Sequence, residues 1–230
     1  MLKRSITILP ALLTFIACVT PETSVFHESF SRVTALPGDF TVLNGKVRIG
    51  HSNGNRYAEL PAKPDSSHGL LFGPALSKGL HVEARFLAED GEKSPTFAVG
   101  LNGLSGYKLQ VNPNKQQLEL LRNEVMVHSV RFEWLPGQWT HLQLQVRELP
   151  GLQWAIEGKA WHEKQAEPKK WTLQWKETAA PSNGQPSIWG TPSDGKPIAL
   201  DDVGLSLTEY KKTPPLYRSI GPSRRSPSIS

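Results

Sequence analysis

The sequence predicts an all-β fold of two packed antiparallel sheets, on three observations. From Val25 onward no sustained stretch places apolar residues at helical spacing, whereas many short runs alternate apolar and polar residues with a period of two. Glycine, asparagine and proline signals such as NGLSG and NPNKQ separate several of these runs, as in hairpins. About a dozen short strands, too many for one half-buried layer, imply two sheets.

Six alternating runs are the clearest strand candidates. In chain order they are LHVEARFLAE from Leu80, PTFAVGLNG from Pro95, GYKLQVNP from Gly106, QQLELLRN from Gln116, EVMVHSV from Glu124 and WTHLQLQVRE from Trp139. Each begins or ends near a turn signal and has the length of an ordinary strand. We find no repeat period and no second domain.

The alternation also assigns side chains to faces. In HVEARF the apolar residues Val82, Ala84 and Phe86 share one face, so Glu83 and Arg85 point the other way. Applied to three strands, this reasoning predicts one shallow hydrogen-bonding surface. Its candidate residues are Glu83, Arg85, Lys108, Gln110, Gln143, Gln145 and Arg147.

The N-terminus has the pattern of an export signal. A basic MLKRS is followed by a mostly apolar run from Ile6 to Ala17, too short to be a normal membrane helix, and then by Cys18. The segment FIAC resembles the lipobox of bacterial lipoproteins. The resemblance implies a signal peptide at 1–17, a lipidated Cys18 with a linker at 18–24, and membrane attachment in the cell envelope. The alternative is an ordinary signal peptide with an incidental cysteine.

The charge balance excludes one class of partner. Two of the 26 basic residues lie in the signal and five in the tail at 211–230, which leaves 19 against 21 acidic residues in the body. The body therefore has no basic footprint for nucleic acid. The tail, rich in Pro, Ser, Lys and Arg, is predicted to be disordered, either as a solubilising segment or in contact with anionic envelope polymers.

Four phrases carry a family resemblance. They are VFHESF, LPGQWTHLQLQV, EGKAWHEKQAEPKKW and IALDDVGLSL. They resemble segments of laminin-G-like, concanavalin A-like jelly rolls of bacterial envelope proteins, which implies one jelly-roll domain over residues 25–210. Related jelly rolls often hold a structural calcium ion, and Glu28, Asp201 and Asp202 stand at the matching ends of the chain. By alternation Asp201 points inward, and capping of backbone groups is the alternative role for these acids.

Motifs for catalysis are missing from the sequence. Jelly-roll glucanases often carry Glu-x-Asp-x-x-Glu on one strand, and no such segment occurs. Glu83 and Glu119 are the acids on the polar faces, and we interpret them as solvated residues. Ser105 lacks nucleophile spacing, and no histidine pair has zinc-ligand spacing.

The seven tryptophans are candidates for stacking on sugar rings. Trp139, Trp154 and Trp189 are predicted to lie in the core. Among polar neighbours, the candidates for stacking, or else for packing under loops, are Trp134, Trp161, Trp171 and Trp175.

The sequence thus favours a lipid-anchored carbohydrate-binding module that is not an enzyme. The alternatives are a sugar hydrolase, of the keto-disaccharide hydrolase or glucanase type, and a structural envelope protein that contacts other proteins. A hydrolase requires a cleft with two carboxylates, and a structural protein requires an exposed apolar patch.

Overall fold

The predicted strands are present in a computed structural model, which describes residues 23–62, 67–77 and 79–208. The expected signal peptide, Cys18 and the basic tail lie outside these ranges. Fifteen strands occur in the described residues. They are β1 (Thr23–Glu28), β2 (Phe40–Asn44), β3 (Arg48–Ser52), β4 (Asn55–Leu60), β5 (His68–Phe72), β6 (Leu80–Leu87), β7 (Thr96–Leu101), β8 (Tyr107–Asn112), β9 (Gln117–Arg122), β10 (Val125–Arg131), β11 (Thr140–Leu149), β12 (Gln153–His162), β13 (Leu173–Glu177), β14 (Ser187–Thr191) and β15 (Ile198–Leu207).

These strands form two sheets in which neighbouring strands are antiparallel. The first sheet has the order β13-β12-β11-β6-β15-β4-β3, with β1 also paired to β15. The second has the order β10-β9-β8-β7-β14-β5-β2. Strands far apart in sequence are neighbours, and the predicted two-sheet jelly-roll sandwich is confirmed. Within the described ranges the only helix is a 3₁₀ turn at Pro113–Lys115, and no helix has the length and apolar character to cross a membrane.

The core lies between the inner faces that the alternation predicted. Val82 and Phe86 of β6 are fully buried, as are Leu109 of β8 and Leu142 of β11. Phe86 stacks on Phe97 of β7 at 4.9 Å between ring centroids, which joins the two sheets. Full burial of each such side chain contributes about 1.5–3 kcal/mol, so this packing fixes the register and sends the alternate side chains outward.

β15 carries a bulge between Asp201 and Gly204. Asp202 and Val203 stand there opposite the single residue Ala84 of β6, and Asp202 has a φ of +48°. A residue in this left-handed conformation is typical of one kind of bulge. The bulge also marks a change of neighbour, since β15 pairs with β4 before it and with β1 after it.

The extra residue reverses the inward and outward alternation of β15. Leu200 and Leu205, on either side of the bulge, are both buried in the core. Asp201 therefore points to the outer face, where it contacts Arg85 of β6. The prediction that Asp201 points inward is wrong, because strict alternation does not hold across a bulge.

Candidate functional site

The outer face of the first sheet carries three transverse rows of polar and aromatic side chains. Across β12, β11, β6 and β15 the rows are Trp161, His141, Arg85 and Asp201; Lys159, Gln143, Glu83 and Gly204; and Glu157, Gln145, His81 and Ser206. Directly opposed residues in antiparallel strands have Cβ atoms about 4.5–5.5 Å apart. Each row is therefore a continuous strip.

Arg85 is the electrostatic centre of the first row. Its Nη2 donates to Asp201 Oδ2 at 2.7 Å, and its Nε lies 2.7 Å from Asp202 Oδ2. Its Nη1 lies 3.2 Å from Glu163 Oε1, and the guanidinium stacks 4.6 Å from the ring centroid of Trp139. Because the side chain of Asp201 is only 1% exposed, its charge requires this cation.

His141 lies beside Arg85 and stacks on Trp161, with ring centroids 4.9 Å apart and planes 7° from parallel. Burial lowers the pKa of His141, and the positive charge of Arg85 lowers it further. The imidazole is therefore neutral at pH 7, with one nitrogen that donates and one that accepts. Trp161 is only 8% exposed, so it forms a wall of the site and is not an open platform.

Glu83 occupies the second row with an amide as its partner. Gln143 Nε2 donates to Glu83 Oε2 at 3.1 Å, and no lysine or arginine of the described ranges forms an ion pair with this carboxylate. Gly204 lies on its other side, where an added Cβ would stand 2.9 Å from Glu83 Cγ and Oε1. The glycine thus provides the space in which the carboxylate sits.

In the third row, the side chain of Glu157 is held by hydrogen bonds from neighbouring side chains of the same face. Glu157 is 5% exposed and accepts from Gln145 Nε2 at 2.5 Å. Arg147 donates to it through Nε at 2.8 Å and Nη2 at 3.1 Å, and this hydrogen bonding raises the pKa of Arg147. Gln145 and Arg147 therefore stabilise the sheet and offer few free groups to a ligand.

The segment 163–172, which joins β12 to β13, lies against the outer face. Lys159 of β12 holds it by an ion pair with Glu167 and by a hydrogen bond of 3.3 Å to the carbonyl oxygen of Pro168. The ammonium group also lies 4.7 Å from the ring centroid of Trp171. This segment forms a second wall facing β6 and β11.

A cleft of about 370 Å³ lies between the face and this segment. Its lining includes the side chains of His27, Glu83, Arg85, His141, Gln143, Trp161, Glu167 and Asp202. A smaller cavity of about 150 Å³, lined in part by Ser24 and Ser206, shares His27 and Glu83 with it. The larger volume is at the low end of the range of about 300–1,000 Å³ typical of ligand pockets.

The seven residues predicted to form one surface are divided between the sheets. Five lie on the outer face just described, namely Glu83, Arg85, Gln143, Gln145 and Arg147. Lys108 and Gln110 belong to β8 in the second sheet and face away from the first. The prediction that all seven form a single surface is therefore wrong. Alternation separates inner from outer residues, but it does not say which sheet a strand joins.

On the second sheet, Gln110 has a structural partner. Its Nε2 donates to Glu119 at 3.1 Å, and Asn112 Nδ2 and Lys115 Nζ donate to the same carboxylate at 3.1 and 2.9 Å. Glu119 is only 2% exposed, so its interpretation as a solvated residue is wrong. Lys108 stacks 4.2 Å from the ring centroid of Trp189.

Two of the four tryptophans proposed for stacking lie away from the cleft. Trp134 is 8% exposed in the core, edge-on to Phe97 at 6.2 Å. Trp175 packs against the core from the inner side of β13, with its ring 6.1 Å from that of His128. Both therefore have a packing role, which was the alternative to stacking on sugars, whereas Trp161 and Trp171 lie at the candidate site.

The tryptophans predicted to be core residues divide as well. Trp154 is 3% exposed and confirms the prediction. Trp139 and Trp189 are half-buried on the outer faces, beneath Arg85 and Lys108 respectively. Their prediction as core residues is wrong, because a stacked cation covers each indole in place of the apolar interior.

The acids predicted to bind calcium have other contacts. Glu28 Oε1 accepts the backbone N–H of Phe30 at 2.5 Å, and Asp201 Oδ1 accepts that of Asp202 at 2.9 Å, as in the capping alternative. Arg85 contacts both Asp201 and Asp202. In the described part of the chain no group of three His, Cys, Asp or Glu residues has the arrangement to hold a metal ion.

Sequence reasoning missed several residues of this face. Glu157 and Lys159 alternate along β12 with Trp161, which the sequence already proposed for stacking, and this period of two in EGKAWH could have identified them. His141 lies two residues before Gln143 on the same strand, so alternation places both on the same face and could have identified His141 as well. His27 carried no such signal, since its place depends on the pairing of β1 with β15.

Comparisons with known proteins identify the architecture. No family model matches the chain, and no curated protein matches it. Among solved structures, carbohydrate-binding module CBM66 from Bacillus subtilis is similar at 12% identity and a TM-score of 0.52, over 73% of this chain and 95% of that one. The metal-free carbohydrate recognition domain of Emp46p has 9% identity and a TM-score of 0.55, over 81% and 97%.

A third similar structure is a Bacillus subtilis protein of unknown function with a galectin-like fold. It has 7% identity and a TM-score of 0.56, over 81% of this chain and 98% of that one. At such identities the likeness establishes the shared jelly-roll fold alone.

Proposed function

We propose that the chain is a carbohydrate-binding protein whose site is the cleft between the first sheet and the segment 163–172. The observation that carries the proposal is the pairing of hydrogen-bond donors and acceptors beside an aromatic wall. Glu83 accepts, Gln143 and neutral His141 do both, and Trp161 supplies apolar surface. A sugar hydroxyl also donates and accepts, so it requires both kinds of group.

The comparisons support this proposal through the fold. The similar structures include a carbohydrate-binding module and a carbohydrate recognition domain, so a jelly roll of this kind suits the function. The specific residues are argued from the cleft of this chain alone.

A glycan array probed with the full-length chain tests the proposal, with a matched pair of variants. Gln143→Ala removes an amide that donates to Glu83 in the cleft, and Gln110→Ala removes one that donates to Glu119 on the opposite sheet. We expect binding that Gln143→Ala weakens and Gln110→Ala leaves intact. Binding lost equally in both, or absent for every glycan, would contradict the site or the function.

Hydrolysis of a bound sugar is the second candidate, and one observation favours it. The cleft brings together Glu83, Glu167 and Asp202 from distant parts of the sequence, as a hydrolase with two carboxylates would require. Glu167 is paired with Lys159 and Asp202 with Arg85, which leaves Glu83 as the candidate for chemistry. Turnover of an array ligand that disappears in Glu83→Gln would establish this function.

A structural role with a protein partner is the third candidate, and an exposed apolar pair on the edge of the second sheet favours it. Val125 and Met126 are adjacent on the edge strand β10 and are 64% and 48% exposed. If this pair binds another envelope protein, Met126→Lys should abolish co-purification of that protein and leave glycan binding unchanged.

A structural calcium ion at Glu28, Asp201 and Asp202 stays part of the proposal. Arg85 already pairs with both aspartates, so an added ion would displace or supplement a cation that is present. A melting temperature that rises with calcium and falls with a chelator would support the ion. An unchanged melting temperature would count against it.

The location is proposed from the sequence. We infer that Cys18 is acylated and holds the protein at a membrane of the bacterial cell envelope. The full chain should incorporate labelled palmitate and partition into detergent, and Cys18→Ser should do neither. Release of the wild-type chain without label would instead favour an ordinary signal peptide.

A further inference from the structure

The cleft has an excess of negative charge. Its lining includes three carboxylates, those of Glu83, Glu167 and Asp202, and one arginine, Arg85. Outside the lining, the carboxylates of Asp201 and Glu163 contact Arg85, and Lys159 contacts Glu167. His141 adds no charge at pH 7, since burial lowers its pKa. The lining therefore has a surplus of two negative charges, which disfavours any sugar that carries a carboxylate or sulfate.

Within the cleft, the carboxylate of Glu83 is the negative group with which a ligand can pair. Three of the other carboxylates contact Arg85 and Glu167 contacts Lys159, whereas Glu83 has the amide of Gln143 as its described side-chain partner. It also lines both the larger and the smaller cavity, so a ligand that spans them passes this carboxylate.

We propose that the cleft selects sugar chains with a free, protonated amino group, whose ammonium pairs with Glu83. This inference rests on the proposed carbohydrate-binding function. A neutral sugar leaves the charge of Glu83 uncompensated, while an ammonium offers three donors and a positive charge at the same point. Two adjoining cavities fit a chain of at least two sugar units, with one unit on each side of Glu83.

The test compares three oligosaccharides by titration calorimetry with the full chain. The ligands are tetramers of glucosamine, of N-acetylglucosamine and of galacturonic acid, at about pH 7, where most of an ordinary amine is charged. We expect the free-amine tetramer to bind at least about tenfold more tightly than the acetylated one. The acidic tetramer should not bind, and added salt should weaken the free-amine complex.

Three variants test whether Glu83 is responsible for the preference for the free amine. Glu83→Gln keeps the size of the side chain and should remove the advantage of the amine. Gly204→Ala places a Cβ against Glu83, so it should reduce the same advantage by moving the carboxylate. Glu124→Gln removes an exposed carboxylate from the opposite sheet and should change nothing.

The outcomes separate this inference from the proposed function. An acetylated or acidic tetramer that binds as well as the free amine overturns the amino-sugar inference and leaves carbohydrate binding in place. The same holds if none of the three binds but a neutral glycan of the array does. Failure of every glycan overturns both, and a preference that survives in folded Glu83→Gln and Gly204→Ala overturns the role of Glu83.

Discussion

Replacing Arg85 with methionine tests whether the charge of Asp201 depends on one cation. Methionine keeps an apolar stem over Trp139 and removes the charge. Asp201 would be left 1% exposed, with Asn55 Nδ2 at 2.9 Å and the backbone N–H of Asp202 at 2.9 Å as its remaining donors. A buried carboxylate without a cation is strongly disfavoured, so the folded state should lose stability.

The expected loss is about 3 kcal/mol. Breaking a buried ion pair from one side costs about 3–5 kcal/mol, and the two donors that Asp201 keeps place this case at the lower end. Urea denaturation of a chain this size has a slope of about 2–3 kcal/mol per molar. The midpoint of unfolding should therefore fall by about 1 M or slightly more.

The matched control is Lys108→Met. Lys108 also stacks on a tryptophan and is similarly buried, but its partner Glu124 is 61% exposed and can be solvated. We expect this variant to cost about 1 kcal/mol or less. The double variant Arg85→Met with Asp201→Asn should recover more than half of the loss. Equal costs for Arg85→Met and Lys108→Met would refute the reasoning.

Three further changes test the fold. Phe86→Ala empties a fully buried site against Phe97 and should cost about 3–5 kcal/mol in urea denaturation, and a cost under 1 kcal/mol would contradict the described core. Leu152→Gly should raise stability by about 1 kcal/mol in the same assay, because this 79% exposed residue has a φ of +58° and no core contact to lose; a destabilised variant would refute this. Burial lowers the pKa of His141 and His162, so the unfolded chain binds protons first as pH falls through about 6.5, and stability declines there. The decline in melting temperature should be smaller in His162→Gln, and an equal decline would show that this histidine is not responsible.

Local alternation predicted much of the architecture. The six candidate runs correspond to β6 through β11, and Val82, Phe86, Leu109 and Leu142 lie in the core as expected. This works because each strand has one face on the core, and a shift of one residue would expose the whole apolar set. Boundaries and faces of regular strands are therefore local properties.

The candidate site depended on properties that are not local. Arg85 and Lys108 have the same alternation in their strands, yet they lie on opposite sides of the sandwich because their strands join different sheets. The bulge at Asp202 reversed the orientation of Asp201, and Gly204, which borders the bulge, does not by itself show where the extra residue lies. The cleft also needs the segment 163–172 to pack against β6 and β11, a contact between parts of the chain distant in sequence.

The pairing of β1 with β15 has a consequence for where the protein can reach. β1 begins at Thr23 and supplies His27 to the cleft. An extended chain spans at most about 3.3–3.6 Å per residue, so the nine steps from Cys18 to His27 cover about 30 Å or less. If Cys18 carries the proposed acyl chains, the cleft is tethered within about one bilayer thickness of the lipid surface. Its ligands would then be polymers that lie on or approach the membrane, and more distant layers of the envelope would be out of range.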